Sequence, residues 1–252
     1  MIKLLVFDKD GVILDLMATW LPVVRAVADY TITRLPSGYD GPVTRADLLA
    51  AIGVDDQADI IEHNGLFAAA SFAEIRAAWQ DILPPDMIRL NADPAYRDKV
   101  EALVLELVRG QSVPKGDVKT PLTALHQAGF KLALLTNDDT SSATQNLKDL
   151  EIDHLFSPIL GANAGHGGKP APNGLLHCCA VNDVDPTEAI MIGDTSADYG
   201  AAVNAAVADF ICIADDASHR PDPTIKTGNV IARLTDLPAL LAARNDTIMQ
   251  LA

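Results

Sequence analysis

Short apolar runs of the kind that form buried strands recur along this chain, and helical patterns lie between them. The strand-like runs cover residues 2–7, 131–135, 189–192, 210–213 and 230–232. The helical patterns cover residues 120–127, 141–150, 173–180 and 197–206. This alternation predicts an α/β fold with a doubly wound parallel sheet. In such a sheet the functional loops gather at the carboxyl ends of the strands.

The alternation is interrupted between about residue 16 and residue 110, where helical periods dominate. Apolar residues there recur at spacings of three and four, as one stripe of a helix would: Leu16, Trp20, Val23, Val27 and Tyr30. No buried-strand run is expected in this stretch. We therefore predict two domains: a core of residues 1–15 and 111–252, and an inserted all-helical domain of residues 16–110.

Within the insertion, Ser71 and Glu74 have the spacing of a capping box, which predicts a helix that begins after Ser71 and continues to residue 82. A last helical pattern covers residues 95–108. Residues 53–71 show no clear pattern and are expected to be rich in loops, where specificity often resides. They contain His63 and Asn64. These two residues and Trp20 are candidates for determining substrate specificity. We favour a surface position for His63 and a core position for Trp20.

The charge of the chain limits its partners. Of the 252 residues, 34 are acidic and 19 are basic, which gives a formal net charge of −15. Such a charge repels nucleic acid phosphates and anionic membrane surfaces, so neither is expected as a partner. An anionic substrate would need a local positive site, and a bound cation would supply this most directly.

Cysteine usage and the first residues predict a cytoplasmic protein. Cys178, Cys179 and Cys212 have neither the spacing of a disulfide framework nor that of a metal site. The chain begins Met1-Ile2-Lys3 and is acidic by Asp8, unlike a signal peptide, and it has no apolar stretch of about 20 residues.

Four short motifs lie at or beside the predicted strand ends. They are Asp8-Lys9-Asp10-Gly11-Val12, Thr136-Asn137, Lys169-Pro170 and Gly193-Asp194-Thr195-Ser196-Ala197-Asp198. Each alone is ordinary, because acidic residues, glycine and threonine are typical of turns and helix caps and lysine is typical of surfaces. Their combination at one edge of a sheet indicates a functional site.

The acidic residues of these motifs favour a magnesium site. Asp8, Asp194 and Asp198 would share one crevice, where two carboxylates about 4 Å apart repel by about 4 kcal/mol at an effective dielectric of 20. A cation would relieve this repulsion. Few ligands, all of them oxygens, suit Mg²⁺, which usually keeps several waters and binds a substrate phosphate.

These residue types can transfer a phosphoryl group. A carboxylate can attack phosphorus and form an aspartyl phosphate, and Asp8 is the candidate nucleophile. Asp10, two residues along, is the candidate acid that protonates the leaving group and the base that then activates water. Lys169 and Thr136, with Asn137 beside it, are candidates for binding the phosphate oxygens on which negative charge accumulates.

With these motifs the chain resembles the haloacid dehalogenase superfamily, specifically its phosphatases with an all-helical cap, similar to phosphoglycolate phosphatases. The resemblance covers nearly the whole chain and implies a Rossmann-like core. It implies that Mg²⁺ would bind Asp8, the backbone carbonyl of Asp10, and Asp194, with Asp198 direct or through water. It also implies that residues 16–110 form the cap, and that the substrate is a small phosphate monoester such as 2-phosphoglycolate.

Three other activities are weighed against simple hydrolysis. Dehalogenases of this type lack a carboxylate where Asp10 stands, because halide leaves without a proton. Sugar phosphate mutases carry a cap histidine where this chain has Trp20, and a phosphate-binding arginine near the position of Asp55 and Asp56. A receiver-type signalling module would need neither an insertion of about 95 residues nor Asp10. Mutase and receiver remain the alternatives to a phosphatase.

Overall fold

Parallel strands build the central layer of the computed structural model, which describes residues 1–62, 65–84, 89–214 and 223–250. In chain order the strands are β1 (Leu4–Phe7), β2 (Val54–Asp55), β3 (Ile60–Ile61), β4 (Lys131–Leu135), β5 (Phe156–Leu160), β6 (Ala189–Gly193), β7 (Asp209–Ile213) and β8 (Val230–Ile231). Six of them form a sheet in the order β5-β4-β1-β6-β7-β8. Every pairing in that sheet is parallel, so the predicted parallel sheet is confirmed.

Helices cover both faces of this sheet. In chain order the helices are α1 (Leu16–Ile32), α2 (Arg45–Ala50), α3 (Leu66–Ala69), α4 (Phe72–Ile82), α5 (Pro94–Val108), α6 (Lys119–Gln127), α7 (Thr140–Asp149), α8 (Asn173–Val181), α9 (Ser196–Asn204) and α10 (Leu237–Gln250). Side chains of α6, α7 and α10 join Leu5 and Phe7 in one buried cluster. Those of α8 and α9 join Leu4 and Val6 in another. Because neighbouring residues of a strand face opposite sides, β1 is buried on both faces, and the fold is doubly wound.

Strand β5 was absent from the sequence prediction. Its sequence places the polar Ser157 and the ring of Pro158 in the middle of the strand. Pro lacks the N–H that a central strand donates, and β5 lies at the edge of the sheet, where this loss is tolerated. The apolar pattern alone therefore could not distinguish β5 from a loop.

The segment of residues 16–110 has a buried cluster of its own, made of residues between Leu16 and Val108. Helix α1 begins after Asp15, whose side chain accepts a hydrogen bond from the Ala18 N–H, and most of the predicted stripe on this helix is buried. The predicted capping box is present: Ser71 and Glu74 exchange both bonds at the start of α4. These two helices are confirmed.

One expectation for this segment is wrong. Strands β2 and β3 form a short antiparallel pair in the stretch for which no strand was predicted. Each strand has only two residues, too few for an apolar alternation to be recognised in the sequence. His63 and Asn64, the specificity candidates that follow β3, lie outside the described residues. The division into two domains stays a prediction.

Over the described ranges, no helix has the combined length and apolar character that crossing a lipid bilayer requires.

Candidate active site

The candidate site lies at the carboxyl ends of three neighbouring strands. Asp8 follows β1, Thr136 follows β4 and Asp194 follows β6. Because β1 pairs with both β4 and β6, the three residues emerge at the same edge of the sheet. The backbone N–H of Asp8 donates to the carbonyl of Ile192, 2.8 Å away, which continues the β1–β6 ladder to the site.

Three of the predicted metal ligands converge. Asp8, Asp194 and Asp198 each offer a carboxylate oxygen, and these atoms all lie within 4.8 Å of one another. Gly11 makes this approach possible, because a Cβ at that position would lie 2.0 Å from Asp194 Oδ2. Its φ of +79° is also a conformation that favours glycine.

Lys169 is held between two of these carboxylates. Its ammonium group donates to Asp8 Oδ1 and to Asp198 Oδ1, each at 2.5 Å. The lysine side chain is 3% exposed, so the three charges face each other largely out of water. Although burial acts in the opposite direction, Asp198 and Asp8 together raise the pKa of Lys169. Lys169 therefore stays positively charged.

Asp198 has a structural task in addition. Its Oδ2 accepts hydrogen bonds from the backbone N–H groups of Asp194 and Thr195 and from the Thr195 hydroxyl, at 2.6 to 3.2 Å. The bond from the Thr195 N–H, together with the bond that the Asp198 N–H donates to the Thr195 hydroxyl at 3.3 Å, forms the capping box at the start of α9. A Cβ on Gly193 would lie 2.4 Å from the Asp198 Cβ, so the glycine lets α9 start this close to β6. Asp198 thus fixes both Lys169 and the loop that carries Asp194.

The electrostatics of this cluster favour a bound cation. Burial raises the pKa of Asp194 to about 8, with Asp198 adding to the shift and Lys115 and Lys169 opposing it. Burial, followed by Asp198, also raises the pKa of Asp8 well above its ordinary value. Carboxylates that resist ionisation in this way gain from a divalent ion, and oxygen donors are the ligands that Mg²⁺ prefers. The donor set therefore fits magnesium.

Asp10 lies in a separate network beside the cluster. Its Oδ1 accepts a hydrogen bond from the indole Nε1 of Trp20 at 2.5 Å. Its Oδ2 lies 3.2 Å from the ammonium of Lys9. Burial is the largest cause of its raised pKa, and Lys9 opposes that shift. Asp10 is thus tied to the helical segment on one side and to Lys9 on the other.

Lys9 is wholly buried and connects this network to the loop after β4. Its Nζ donates to Asp138 Oδ2 at 2.7 Å and to Asn146 Oδ1 at 2.9 Å. The same nitrogen lies 4.6 Å from the centre of the Trp20 ring. Burial would lower the pKa of Lys9, but Asp10 and Asp138 raise it, so the lysine is charged.

Thr136 and Asn137 occupy the predicted place but differ in what they contact. Thr136 is buried, and its hydroxyl accepts from the backbone N–H of Asp138 at 3.2 Å. The Asn137 side chain exchanges two hydrogen bonds with the main chain of Lys169, at 2.6 and 2.9 Å. These bonds hold the segment that carries Lys169. Both residues line the cavity above Asp8, and their role in substrate binding stays a prediction.

Sequence reasoning missed two residues of this site, Lys9 and Lys115, and one contact of a third, Trp20. Trp20 was a specificity candidate with a favoured core position, and its burial in the helical segment is confirmed, but its hydrogen bond to Asp10 was not predicted. Lys9 was only the variable residue of the first motif. Lys115 was not singled out, yet its Nζ donates to the Gly11 carbonyl at 2.6 Å and its charge lowers the pKa of Asp194. The sequence offered one signal for Lys9, because a positive residue stands between two acids of the first motif. An apolar stripe does not indicate where the indole N–H of Trp20 points, so this hydrogen bond could not be predicted.

A doubly wound sheet that gathers carboxylates and a buried lysine at one edge has the parts of an enzyme that handles phosphate anions with a divalent cation. The chain belongs to the haloacid dehalogenase-like hydrolase family, whose model matches residues 2–206. This match confirms the superfamily resemblance of the motifs.

Individual proteins agree with this assignment. A phosphoglycolate phosphatase of Vibrio vulnificus (strain YJ016) is 30% identical over 217 residues, which cover 83% of this chain and 82% of the relative. The crystal structure of a predicted phosphoglycolate phosphatase from Haemophilus somnus 129pt matches this chain with a TM-score of 0.71 at 19% identity. The match covers 95% of this chain and 98% of that protein's chain. CbbY from Rhodobacter sphaeroides, solved in complex with phosphate, has a TM-score of 0.66 at 17% identity, with coverage of 94% and 96%. The two structures support the fold.

Proposed function

We propose that this hydrolase is a Mg²⁺-dependent phosphatase that cleaves a small phosphate monoester through an aspartyl phosphate on Asp8. The observation that carries the proposal is the convergence of Asp8, Asp194, Asp198 and Lys169 at the carboxyl edge of the sheet. The family match and the phosphatase names of the curated relatives support the same reaction class.

The first half of the reaction assigns work to Asp8, Lys169 and Asp10. A carboxylate oxygen of Asp8 forms a bond to phosphorus while the ester P–O bond breaks. Lys169, fixed at 2.5 Å from Asp8, neutralises charge on the phosphoryl oxygens, with Thr136 beside it. Asp10 gives its proton to the departing oxygen, and the alcohol leaves.

The second half returns the enzyme to its starting state. Asp10, now ionised, takes a proton from water as the water oxygen bonds to phosphorus. The Asp8–phosphorus bond breaks, and inorganic phosphate leaves. Bound by Asp8, the Asp10 carbonyl and Asp194, and by Asp198 directly or through water, Mg²⁺ would offset negative charge on the phosphate and the carboxylates.

We assign residues 16–110 as a cap over this site. Trp20 of α1 donates a hydrogen bond to Asp10, and residues of α3 and α4 line the same cavity as Asp8. A lid of this kind keeps bulk water from the phosphorylated aspartate. The first ester to assay is 2-phosphoglycolate, because the relatives carry it in their names.

The test is phosphate release by the full chain with Mg²⁺, compared with the Asp8→Asn variant. We expect sustained release by the wild type and none by Asp8→Asn, which keeps the side-chain volume but removes the nucleophile. Asp185→Asn is the matched control, because Asp185 precedes β6 at the opposite edge of the sheet and should leave turnover unchanged. Near-normal release by Asp8→Asn would overturn the proposal.

The same assay separates the alternatives. A receiver-type module would retain one equivalent of phosphate on Asp8 and then stop. A mutase would convert one sugar phosphate into its isomer without net release. Continuous release of inorganic phosphate favours the hydrolase over both.

A further inference from the structure

The cavity above Asp8 has two walls of opposite character. Its floor is polar and consists of the site residues at the strand ends. Its roof comes from the helical segment and includes Trp20, Phe67, Ala68, Ala70, Phe72 and Ile75. A phosphate group that reaches the floor would therefore place its ester substituent against the roof.

The roof is an aromatic surface. The Trp20 ring packs edge-on against Phe67 and Phe72, with ring centres 6.3 and 6.2 Å apart. Phe67 and Phe72 are half-buried, so part of each ring remains available for contact with a ligand. The polar atom of the Trp20 ring, Nε1, already donates to Asp10. The roof thus presents carbon atoms to a bound substituent.

The cations near the cavity are engaged with other side chains. Lys169 lies at the floor and donates to Asp8 and Asp198, and Lys9 is buried outside the cavity lining, where it donates to Asp138. Arg76 lines a small apolar cavity behind the roof, and its Nε donates to Asn91 at 2.7 Å. Among the roof residues that the structure describes, no side chain is charged. A carboxylate placed against these side chains would lose water without gaining a charged partner from them, which is unfavourable.

We infer that the substrate of this site is a phosphate monoester whose organic group is apolar, such as a branched alkyl group. The inference rests on the proposed function for the phosphate and adds the chemistry of the other half of the substrate. It departs from 2-phosphoglycolate, whose carboxylate would meet the aromatic roof.

A pair of esters of similar shape tests this inference. Isobutyl phosphate and 2-phosphoglycolate both branch at the second carbon, but only the latter carries a second charged group. We expect the full chain with Mg²⁺ to hydrolyse isobutyl phosphate with a kcat/KM at least about tenfold higher, since fully burying a side chain of this size is worth more than that ratio. An equal or higher kcat/KM for 2-phosphoglycolate overturns the inference.

Variants of the roof residues test whether the roof causes the preference for isobutyl phosphate. Phe67→Ala removes a ring of the roof and should lower the ratio of the two kcat/KM values by about tenfold. Ala70→Lys adds a cation and should shift the ratio toward 2-phosphoglycolate. Ala70→Met, of similar length but neutral, is its control and should keep the preference for isobutyl phosphate. Equal ratios in Ala70→Lys and Ala70→Met count against the roof as the determinant.

Binding separates this inference from the proposed reaction. The Asp8→Asn variant with Mg²⁺ is titrated with each ester by calorimetry. If the wild type releases no phosphate from any ester, the proposed function fails, but tighter binding of isobutyl phosphate still supports an apolar roof site. If 2-phosphoglycolate binds as tightly or more tightly, the inference fails whether or not turnover is seen.

Discussion

The indole Nε1 of Trp20 donates a hydrogen bond to Asp10 Oδ1 across 2.5 Å, and this bond joins the helical segment to the motif that follows β1. Asp10 is the proposed acid and base of the reaction. Its carboxylate can serve the leaving group only if it is held toward the cavity. The bond from Trp20 supplies that restraint, so the position of α1 and the orientation of Asp10 are coupled.

Trp20→Phe tests this coupling. The variant keeps an aromatic ring in the roof but removes the donor to Asp10. Because Asp10 must be held in place to transfer its proton, and a positioned proton donor contributes about 10²–10⁴-fold to rate, we expect kcat for alkyl phosphates to fall about tenfold or more. Esters with activated aryl leaving groups need less proton donation and should lose less. Steady-state kinetics on both ester types measure the difference.

Trp79→Phe is the control for this experiment. Trp79 is also buried in the helical segment, but its Nε1 donates to the Leu48 carbonyl at 2.7 Å, away from Asp10. This variant should lower stability without changing the ratio between alkyl and aryl esters. The same ratio in Trp20→Phe and Trp79→Phe would show that Trp20 acts on packing alone.

The convergence of Asp8 and Asp194 could be predicted from the sequence, whereas the contact of Trp20 with Asp10 could not. Both aspartates follow apolar strands, and parallel topology brings such residues to one edge whatever the details of packing. Trp20 belongs to an apolar stripe, which predicts that its ring is buried. The stripe does not predict the direction in which the indole N–H points. That direction depends on how α1 sits against the core, which is a tertiary relationship.

The same distinction explains the other differences. Strand β5 carries Pro158, and an edge position, visible only in the assembled sheet, makes that residue acceptable. Lys115 lies in the connection before α6, where its sequence context resembles any exposed loop, but its ammonium reaches the Gly11 carbonyl. In both cases the outcome depends on contacts between residues that are distant in the sequence, and a local sequence pattern does not show such contacts.

Lys9→Met is expected to destabilise the fold. The substitution keeps an unbranched side chain but removes the buried charge that binds Asp138, Asn146 and Asp10. Removing one partner from a buried ion pair costs about 3–5 kcal/mol. For a chain of this length, at about 2 °C per kcal/mol, we expect the melting temperature to fall by roughly 6–10 °C. Calorimetry or circular dichroism measures the shift.

Lys3→Met controls for the loss of a lysine. Lys3 pairs with Glu188 on the surface, where water screens the interaction. Its replacement should leave the melting temperature nearly unchanged. Similar shifts for Lys9→Met and Lys3→Met would contradict a structural role for the buried ammonium.

Gly11→Ala should lower kcat/KM by more than the strain of an alanine at this φ accounts for. The new Cβ would meet Asp194 Oδ2, and a displacement of about 1 Å in a catalytic group can cost about 100-fold in rate. Gly116→Ala is the matched control, because Gly116 has a similar φ of +73° with open space around it. We expect Gly116→Ala to retain activity. Comparable losses of kcat/KM in both variants would assign the effect to backbone strain.

The raised pKa of Asp194 predicts how stability changes with pH in the absence of metal. Its pKa is about 8 in the folded protein against an ordinary 3.8, so the folded state binds this proton more tightly than the unfolded state does. The free energy of unfolding should therefore decrease as pH rises between about 4 and 8, by at most about 1.4 kcal/mol per pH unit for this group. Asp8, whose pKa is also raised, contributes with the same sign.

Urea unfolding at pH 6 and pH 8 in a chelator, repeated with Mg²⁺, checks this expectation. Mg²⁺ binds ionised carboxylates and the folded state, so it should stabilise the protein more at pH 8, where its competition with protons is weakest. Asp194→Asn removes the titrating group and should flatten the metal-free pH dependence while reducing the gain from Mg²⁺. A metal-free stability that rises from pH 6 to pH 8 in the wild type would contradict the assignment, because a carboxyl whose pKa is raised on folding can only lower stability over that interval.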